Sequence, residues 1–279
     1  HFVKGDICDQ SLIYSLLQQF EIDWLVNFAA ESHVDNSIAS ADVFIQTNIN
    51  GTFSLLQACR QYYDELVNTK KTDFRFLHVS TDEVFGSLHE NDEPFNENSR
   101  YQPNSPYSAS KASSDHLVRA WQETFKLPTI ITNCSNNFGP FQHREKLIPT
   151  IIRSCVEGKD IPIYGNGKNI RDWIYVGDHC DGIELALSSG KTDKTYLFGG
   201  EKELQNLEIA HKICEILDSI KPKADGTSYK SQIKFVQDRA GHDFRYAISN
   251  NKSFKELGFK PSKSFEERLR ETIEFFIKK

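Results

Sequence analysis

The chain has 279 residues, with 39 acidic against 33 basic side chains and a formal charge of −6, and an isoelectric point near 5.9. That length buries a substantial core, in one large domain or in a domain with a smaller lobe. The acidic balance argues against nucleic acid as a partner, no apolar run nears the ~18 residues of a membrane span, and no charged-then-apolar leader is seen.

The opening His1-Phe2-Val3-Lys4 reads as a strand already under way, and the chain contains no methionine, so a preceding segment is expected. Helical spacing follows over about residues 10–20, 43–67 and 107–125. Strand-like runs fall at 24–30, 74–80 and 129–133. This alternation predicts an α/β fold with a doubly wound parallel sheet and right-handed crossovers. Beyond about residue 133 the pieces shorten. Gly165-Asn166-Gly167 reads as a tight turn between two strand-like stretches, and residues 206–220 and 264–277 read as helices. Residues 221–230 resemble a linker and are the weakest candidate for order. A smaller C-terminal lobe over the crevice of the sheet is the expectation.

Thr81-Asp82-Glu83 follow the β-rich run 74–80, where open α/β sheets hold their ligands. Tyr107 and Lys111 stand four apart, on one face of a helical turn, with Pro106 suited to the helix entrance. An acid, a second carboxylate, a phenol and an ammonium suit the movement of protons and a hydride. Tyr-x-x-x-Lys alone is a common surface pair; its place one crossover after two carboxylates gives it weight. The six cysteines (Cys8, Cys59, Cys134, Cys155, Cys180 and Cys214) are far apart and form no C-x-x-C pair. They predict buried thiols in a reducing cytoplasm and no disulfide framework. The nine histidines lack metal-ligand spacing, so no metal is expected.

Gly5-Asp6-Ile7-Cys8-Asp9, Asn27-Phe28-Ala29-Ala30-Glu31-Ser32-His33-Val34-Asp35, Thr81-Asp82-Glu83 and Tyr107-x-x-x-Lys111 together resemble the extended short-chain dehydrogenase/reductases, and among them the dTDP-glucose 4,6-dehydratases. The likeness continues through Ser135-Asn136-Asn137-Phe138-Gly139-Pro140, Glu145-Lys146-Leu147-Ile148-Pro149, Arg171-Asp172-Trp173 and Asp238-Arg239-Ala240-Gly241-His242-Asp243, essentially the whole chain. It implies a Rossmann-like NAD-binding domain over residues 1–133 and a mainly sugar-nucleotide-binding lobe over 134–279, with crossovers back to the first. It also implies a nucleotide-sugar substrate, a cytoplasmic location and a homodimer paired through the helices near 43–67 and 107–125.

By the same resemblance, Tyr107 is the base at the C4 hydroxyl with Thr81 bonded to that oxygen. Glu83 takes the C5 proton and Asp82 protonates the hydroxyl leaving C6. Two neighbouring carboxylates divide such roles because the second ionisation is disfavoured beside the first. For the phenol, a drop of about 3 units, or about 4 kcal/mol, is needed near neutrality. The Lys111 ammonium and a positively charged nicotinamide ring are expected to supply it.

Asp6 and Ile7 match the family's adenine contacts; Phe28, Ala29, Ala30, Ser32, Thr47, Tyr107, Lys111 and Asn137 match its cofactor wall. On the substrate side, Ser32, Thr81, Asn136, Lys146, Leu147, Pro162, Tyr164, Arg171, Asn206, Arg239 and His242 correspond. Lys146, Arg171 and Arg239 suit a diphosphate, although each alone would read as a surface charge. Phe85, Phe138 and Phe141 stand where tyrosines are common, Ala240 replaces a usual proline, and His143-Arg144 replaces a more apolar pair.

The family's first strand and G-x-x-G-x-x-G phosphate loop are not in this sequence, on the order of 50 residues, so the activity expected is that of a longer parent chain. A dehydratase for a UDP- or GDP-linked hexose, a 4-epimerase and a non-catalytic sugar-nucleotide-binding fragment remain alternatives. Asp82 would have no task in the epimerase.

Overall fold

The computed structural model describes residues 1–261 and 264–278. Its first half runs α1 (Gln10–Gln19), β1 (Trp24–Asn27), α2 (Val34–Ala39), α3 (Asp42–Phe44), a π-helical stretch at Ile45–Gly51, α4 (Thr52–Glu65), α5 (Asn68–Asp73), β2 (Arg75–Thr81), α6 (Pro106–Phe125) and β3 (Thr129–Cys134). Then come β4 (Asn136–Phe138), α7 (Leu147–Glu157), β5 (Ile161–Tyr164), β6 (Ile170–Tyr175), α8 (Val176–Ser189), β7 (Lys194–Phe198), β8 (Glu203–Gln205), α9 (Asn206–Ile220), β9 (Ile233–Val236), α10 (Asn251–Leu257) and α11 (Phe265–Ile277).

The main sheet is parallel, in the order β1-β2-β3-β7. Strand β2 explains why it is covered on both faces, because successive side chains point to opposite sides. Phe76 joins Leu55, Leu56, Phe74, Val118 and Leu127 beneath α4 and α6. Its neighbour Leu77 joins Ile130, Ile183, Tyr196 and Phe198 on the side of α8 and α10. A separate core of Phe138, Ile148, Ile152, Trp173, Ile213 and Ile273 holds α7, α9 and α11 together in the later half. Two smaller sheets sit there, β4-β6-β8 and β5-β9.

Several expectations need correction. The strand foreseen at 24–30 stops at Asn27, where the Asn27 carboxamide captures the Ala29 N–H at 3.1 Å and turns the chain. The long helix foreseen at 43–67 is interrupted by the π-helical stretch, because Asn48 turns inward to bond both the N–H and the C=O of Glu31 and the hydroxyl of Ser110. Such bulges concentrate at functional sites. Gly165 and Gly167 do form a turn with positive φ, yet the strands it joins do not pair with each other. Strand β5 pairs in parallel with β9, and β6 lies between β4 and β8. The segment 221–230 is ordered: the Asp218 carboxylate accepts from Tyr229 N and Ser228 Oγ, and Tyr229 is buried in front of it.

Candidate active site

Strand β2 delivers Thr81 to the carboxyl end of the sheet, and the chain turns at once into a single 3₁₀ turn, Asp82–Phe85. Thr81 caps that turn, its Oγ1 accepting from Glu83 N at 3.3 Å and donating to Asp82 Oδ1 at 3.3 Å. Gly86 ends it with φ +91°, and a Cβ there would stand 2.5 Å from the Gln102 carbonyl oxygen, so only glycine turns the chain away cleanly. Opposite, α6 begins with a capping box between Ser105 and Ser108 and Pro106 in its first turn. Tyr107, in that first turn, and Lys111, one turn further in, are both buried. Tyr107 is fixed through its N–H to Ser37 Oγ and by an edge-on contact with Phe44.

The two carboxyls are set apart by their surroundings. Asp82 is buried, its Oδ2 bonds to no described residue, and burial followed by the charges of Glu83 and Asp172 pushes it well above the usual carboxylate range. Glu83 is also raised by burial, but Arg171, Arg239 and Lys146 all pull it back. The pair thus contains a better proton donor and a better base side by side.

The phenol departs from expectation. Burial, then the charges of Glu83 and Cys134, hold Tyr107 well above its ordinary value, with a hydrogen bond involving Thr81 opposing them. Lys111 Nζ is turned to the Val79 carbonyl, to which it donates at 2.8 Å, and lies 3.4 Å from His78 Nε2.

The later half brings a cluster of charge to the same place. Lys146 Nζ donates to the Ser32 carbonyl at 2.7 Å, tying the loop after β1 to the entrance of α7. Arg239 meets Asp35 at 3.5 Å, and Tyr164 reaches the other Asp35 oxygen at 3.3 Å. His242 is held by Asp238 at 2.7 Å and packs edge-on to Tyr164. Pro162 shares the exposed face of β5 with Tyr164.

Arg171 differs from the freely offered fork the sequence led us to expect. It is buried, with its Nη1 and Nη2 bonded to the carbonyls of Ile170, Phe244 and Asp243 and its plane over Tyr246. It therefore acts on Glu83 and Asp82 as a fixed charge. Asn206 opens α9 with a buried Oδ1 that finds no described partner, and Asn136 Oδ1 is in the same condition.

Other positions do not converge on this cluster. Leu147 packs against the core of the later half. Ile7 lies against Gly51, where a Cβ would come within 2.4 Å of it, and Asp6 accepts from Cys8 N at the surface. Phe28 is 60% exposed beside Ala29 and Ala30, with Thr47 half-buried in the π-helical stretch. Asn137 is oriented by His179, whose Nδ1 lies 3.0 Å from its Oδ1. Phe85 and Phe138 fill core positions, and Phe141 packs at a tilt against Phe275. Sequence reasoning passed over Asp35, although it closes the 27–35 motif, and also His78 and Asp115; the last follows Lys111 by four on the same helix.

Comparison with known proteins decides the family. The model of the GDP-mannose 4,6 dehydratase family matches residues 1–272. The chain belongs to the GDP-mannose 4,6-dehydratase family. A dTDP-glucose 4,6-dehydratase from Xanthomonas campestris pv. campestris (strain ATCC 33913) is 51% identical over 276 residues, covering 99% of this chain and 78% of that protein. One from Salmonella typhimurium LT2 is 50% identical over 285 residues, with the same coverage of both. The crystal structure of DesIV, a dTDP-glucose 4,6-dehydratase from Streptomyces venezuelae with NAD and TYD bound, matches with a TM-score of 0.89 at 42% identity, covering 100% of this chain and 80% of that one. A UDP-glucuronic acid 4-epimerase from Bacillus cereus, at 24% identity and a TM-score of 0.86, shows the shared fold alone. Among the described residues of this 4,6-dehydratase family member, no helix is long and apolar enough to cross a membrane.

Proposed function

We propose that the chain dehydrates dTDP-glucose to the 4-keto-6-deoxy sugar nucleotide with NAD as its cofactor. The observation that carries this reading is the Asp82/Glu83 pair: two adjacent carboxyls with divergent surroundings beside a buried Tyr107, with the buried Lys111 four residues along the same helix. The relatives near 50% identity support the nucleotide. The 4-epimerase reading leaves the acid without work, and the epimerase neighbours share only the fold.

The residues present suit the cofactor. Exposed Phe28 and Ala29 offer an apolar wall at the carboxyl end of the sheet, and Lys111 Nζ, with one bond committed to Val79, has further donors for a ribose. Phe28, Ala29, Ala30, Ser32, Thr47, Tyr107, Lys111 and Asn137 would hold that half, and Asp6 and Ile7 the adenine. NAD⁺ supplies a hydride acceptor, the later return of that hydride, and a positive ring charge that favours phenolate.

The remaining steps belong to the protein. Tyr107 takes the C4 hydroxyl proton while Thr81 bonds that oxygen. The C4 ketone acidifies C5–H, and Glu83, kept available for protonation by its partial burial and ionisable by its three cations, removes that proton. Asp82, held protonated by burial, gives its proton to the C6 hydroxyl, which leaves as water, and C5 regains a proton when the hydride is restored to C6. Lys146, Arg239 and the Asp35-oriented Tyr164 bind the diphosphate and base end; Arg171 tunes the carboxyls. Ser32, Asn136, Leu147, Pro162, Asn206 and His242 complete the sugar-nucleotide contacts.

We divide the labour at about residues 133 and 134, the first part for the cofactor and the second mainly for the sugar nucleotide. Strand β7 returns from the second part to the main sheet. A homodimer is proposed through the helical region 43–67 and α6, where Val43 in α3, Ile45 in the π-helical stretch and Phe53 in α4 leave apolar surface exposed; sedimentation at monomer mass would count against it. Free thiols at all six cysteines support a cytoplasmic setting.

The test is incubation with NAD and dTDP-glucose, UDP-glucose or GDP-mannose, following the 4-keto-6-deoxy products. Preference for dTDP-glucose is expected. Turnover of another nucleotide sugar alone would reassign the substrate, and tight binding without turnover of any would leave only a binding role.

A further inference from the structure

Behind the site lies a buried polar chain that the steps above do not use. Tyr107, Lys111 and Asp115 follow one another by fours on α6, so they share a face. Asp115 is 2% exposed, Lys111 4% and His78, on β2, 0%. The tautomer of His78 follows from the bonds around it. Ala29 N donates to Asn27 Oδ1 at 3.1 Å, which turns the Asn27 NH₂ toward His78 Nδ1 at 3.2 Å. Nδ1 therefore accepts, and the ring proton resides on Nε2, 3.4 Å from Asp115 Oδ1. A ring protonated there offers Lys111 no lone pair. The fixed acceptor of the ammonium is the Val79 carbonyl. Asp115 Oδ2 accepts from Ser80 Oγ and Tyr101 Oη, both at 2.8 Å.

We propose that Asp115, gripped by Ser80 and Tyr101 and faced by His78, is a positioning residue that supplies the buried counter-charge to the Lys111 ammonium. The proposal deepens the functional reading given above and rests on its use of Lys111. An ammonium removed from water without a carboxylate nearby sheds its proton. Burial pulls Lys111 down, and Asp115 is the first influence pushing it back. The other groups that face the pair are neutral. His78 is held well below its ordinary value by burial and by Lys111, Tyr101 is pushed up by burial and Asp115, and Cys134 is pushed up to about 12 by burial. Asp115 itself is raised to about 6 by burial, with Lys111, Ser80, Tyr101 and Asn133 opposing.

The experiment follows Lys111 directly, by NMR titration of ¹³Cε-lysine protein with Lys111→Arg for assignment, so it does not depend on turnover. In Asp115→Asn the Lys111 midpoint should fall by about one unit or more; in Ser80→Ala, which removes a bond and no charge, it should stay within about 0.3 unit of wild type. An unmoved midpoint in folded Asp115→Asn overturns the proposal. Wild type supplies a second check if that variant does not fold: protonation of Asp115 must displace the Lys111 resonance between about pH 5 and 7, and a flat resonance there sinks the idea. With dTDP-glucose, the alkaline limb of kcat should move to lower pH in Asp115→Asn with KM changed less than about twofold. Absence of wild-type turnover would count against the functional reading alone.

Discussion

The two sides of the candidate site are built on different terms. The face made by β2 and α6 is buried, with Tyr107, Lys111, Asp82 and Asp115 each at or below 8% exposure. The face made by the later half is an assembly of longer side chains, in which Arg239 and Tyr164 are held on Asp35 and His242 on Asp238. Burial gives the first face perturbed protonation states, which is what proton transfer needs. Solvent access gives the second face cations that can exchange a carboxylate partner for a phosphate, which is what binding needs. Mutations on the first face should therefore act on kcat and those on the second on KM.

The largest effects are expected at Tyr107 and Glu83. Tyr107→Phe and Glu83→Gln each remove one proton-transfer group and should lower kcat by about 10²–10⁴-fold, with KM for dTDP-glucose little changed. Steady-state kinetics across the two variants would check this; a loss confined to KM in either would erase the contrast between the faces.

Next comes a stability effect on the buried side. Asp172 is fully enclosed, accepts from the Gly200 and Lys202 N–H groups, and is raised to about 6 by burial. Its folded pKa lies above the unfolded value, so its favourable contribution is present below about pH 4 and is lost as pH rises through about 6. Wild type minus Asp172→Asn should thus fall by about 2 kcal/mol between pH 4 and 7. Denaturant titration of both proteins at each pH gives the difference, in which the constant loss of hydrogen bonding cancels. A pH-independent difference would mean that Asp172 takes up its proton in the folded protein as it does in the unfolded chain.

On the open face, Arg239→Ala should raise KM by about 10–100-fold, the worth of a charge-assisted bond, with kcat within a few-fold of wild type. A kcat loss as large as that of Glu83→Gln would show that Arg239 works through Glu83, on which its charge also acts.

How far these faces were legible in the sequence differs in the same way. Strand β2 and helix α6 were readable because an apolar run followed by Thr81-Asp82-Glu83, and a Pro106 entrance followed by Tyr107 and Lys111, are local patterns. The family resemblance placed Lys146, Arg171 and Arg239 on one surface, but not the burial of Arg171, which depends on carbonyls from residues 243 and 244. The π-helical stretch escaped because its cause, Asn48 bridging Glu31 and Ser110, joins residues far apart in the chain. Strand β7 went unread for a related reason. Its five residues begin with Lys194 and Thr195, and only pairing with β3 makes them a strand. Asp115 could have been found by extending the four-residue spacing one step past Lys111.

The smallest effect tests whether the junction of the two faces is set locally. Ser105 Oγ caps α6 by accepting from Ser108 N at 3.0 Å, and Ser108 Oγ in turn accepts from Ser105 N at 3.0 Å. Because Ser105 and Ser108 are both buried, water cannot replace the cap, and Ser105→Ala should cost about 1 kcal/mol, or roughly 2–4 °C in Tm for a chain of this size. If the cap only stabilises, kcat and KM should hold near wild type, since the Tyr107 N–H is anchored independently on Ser37 Oγ. A fall in kcat beyond the loss of folded protein would mean that the first turn of α6 frays when uncapped and carries Tyr107 with it. In that case the buried face would owe its geometry to the helix entrance more than to the packing around it.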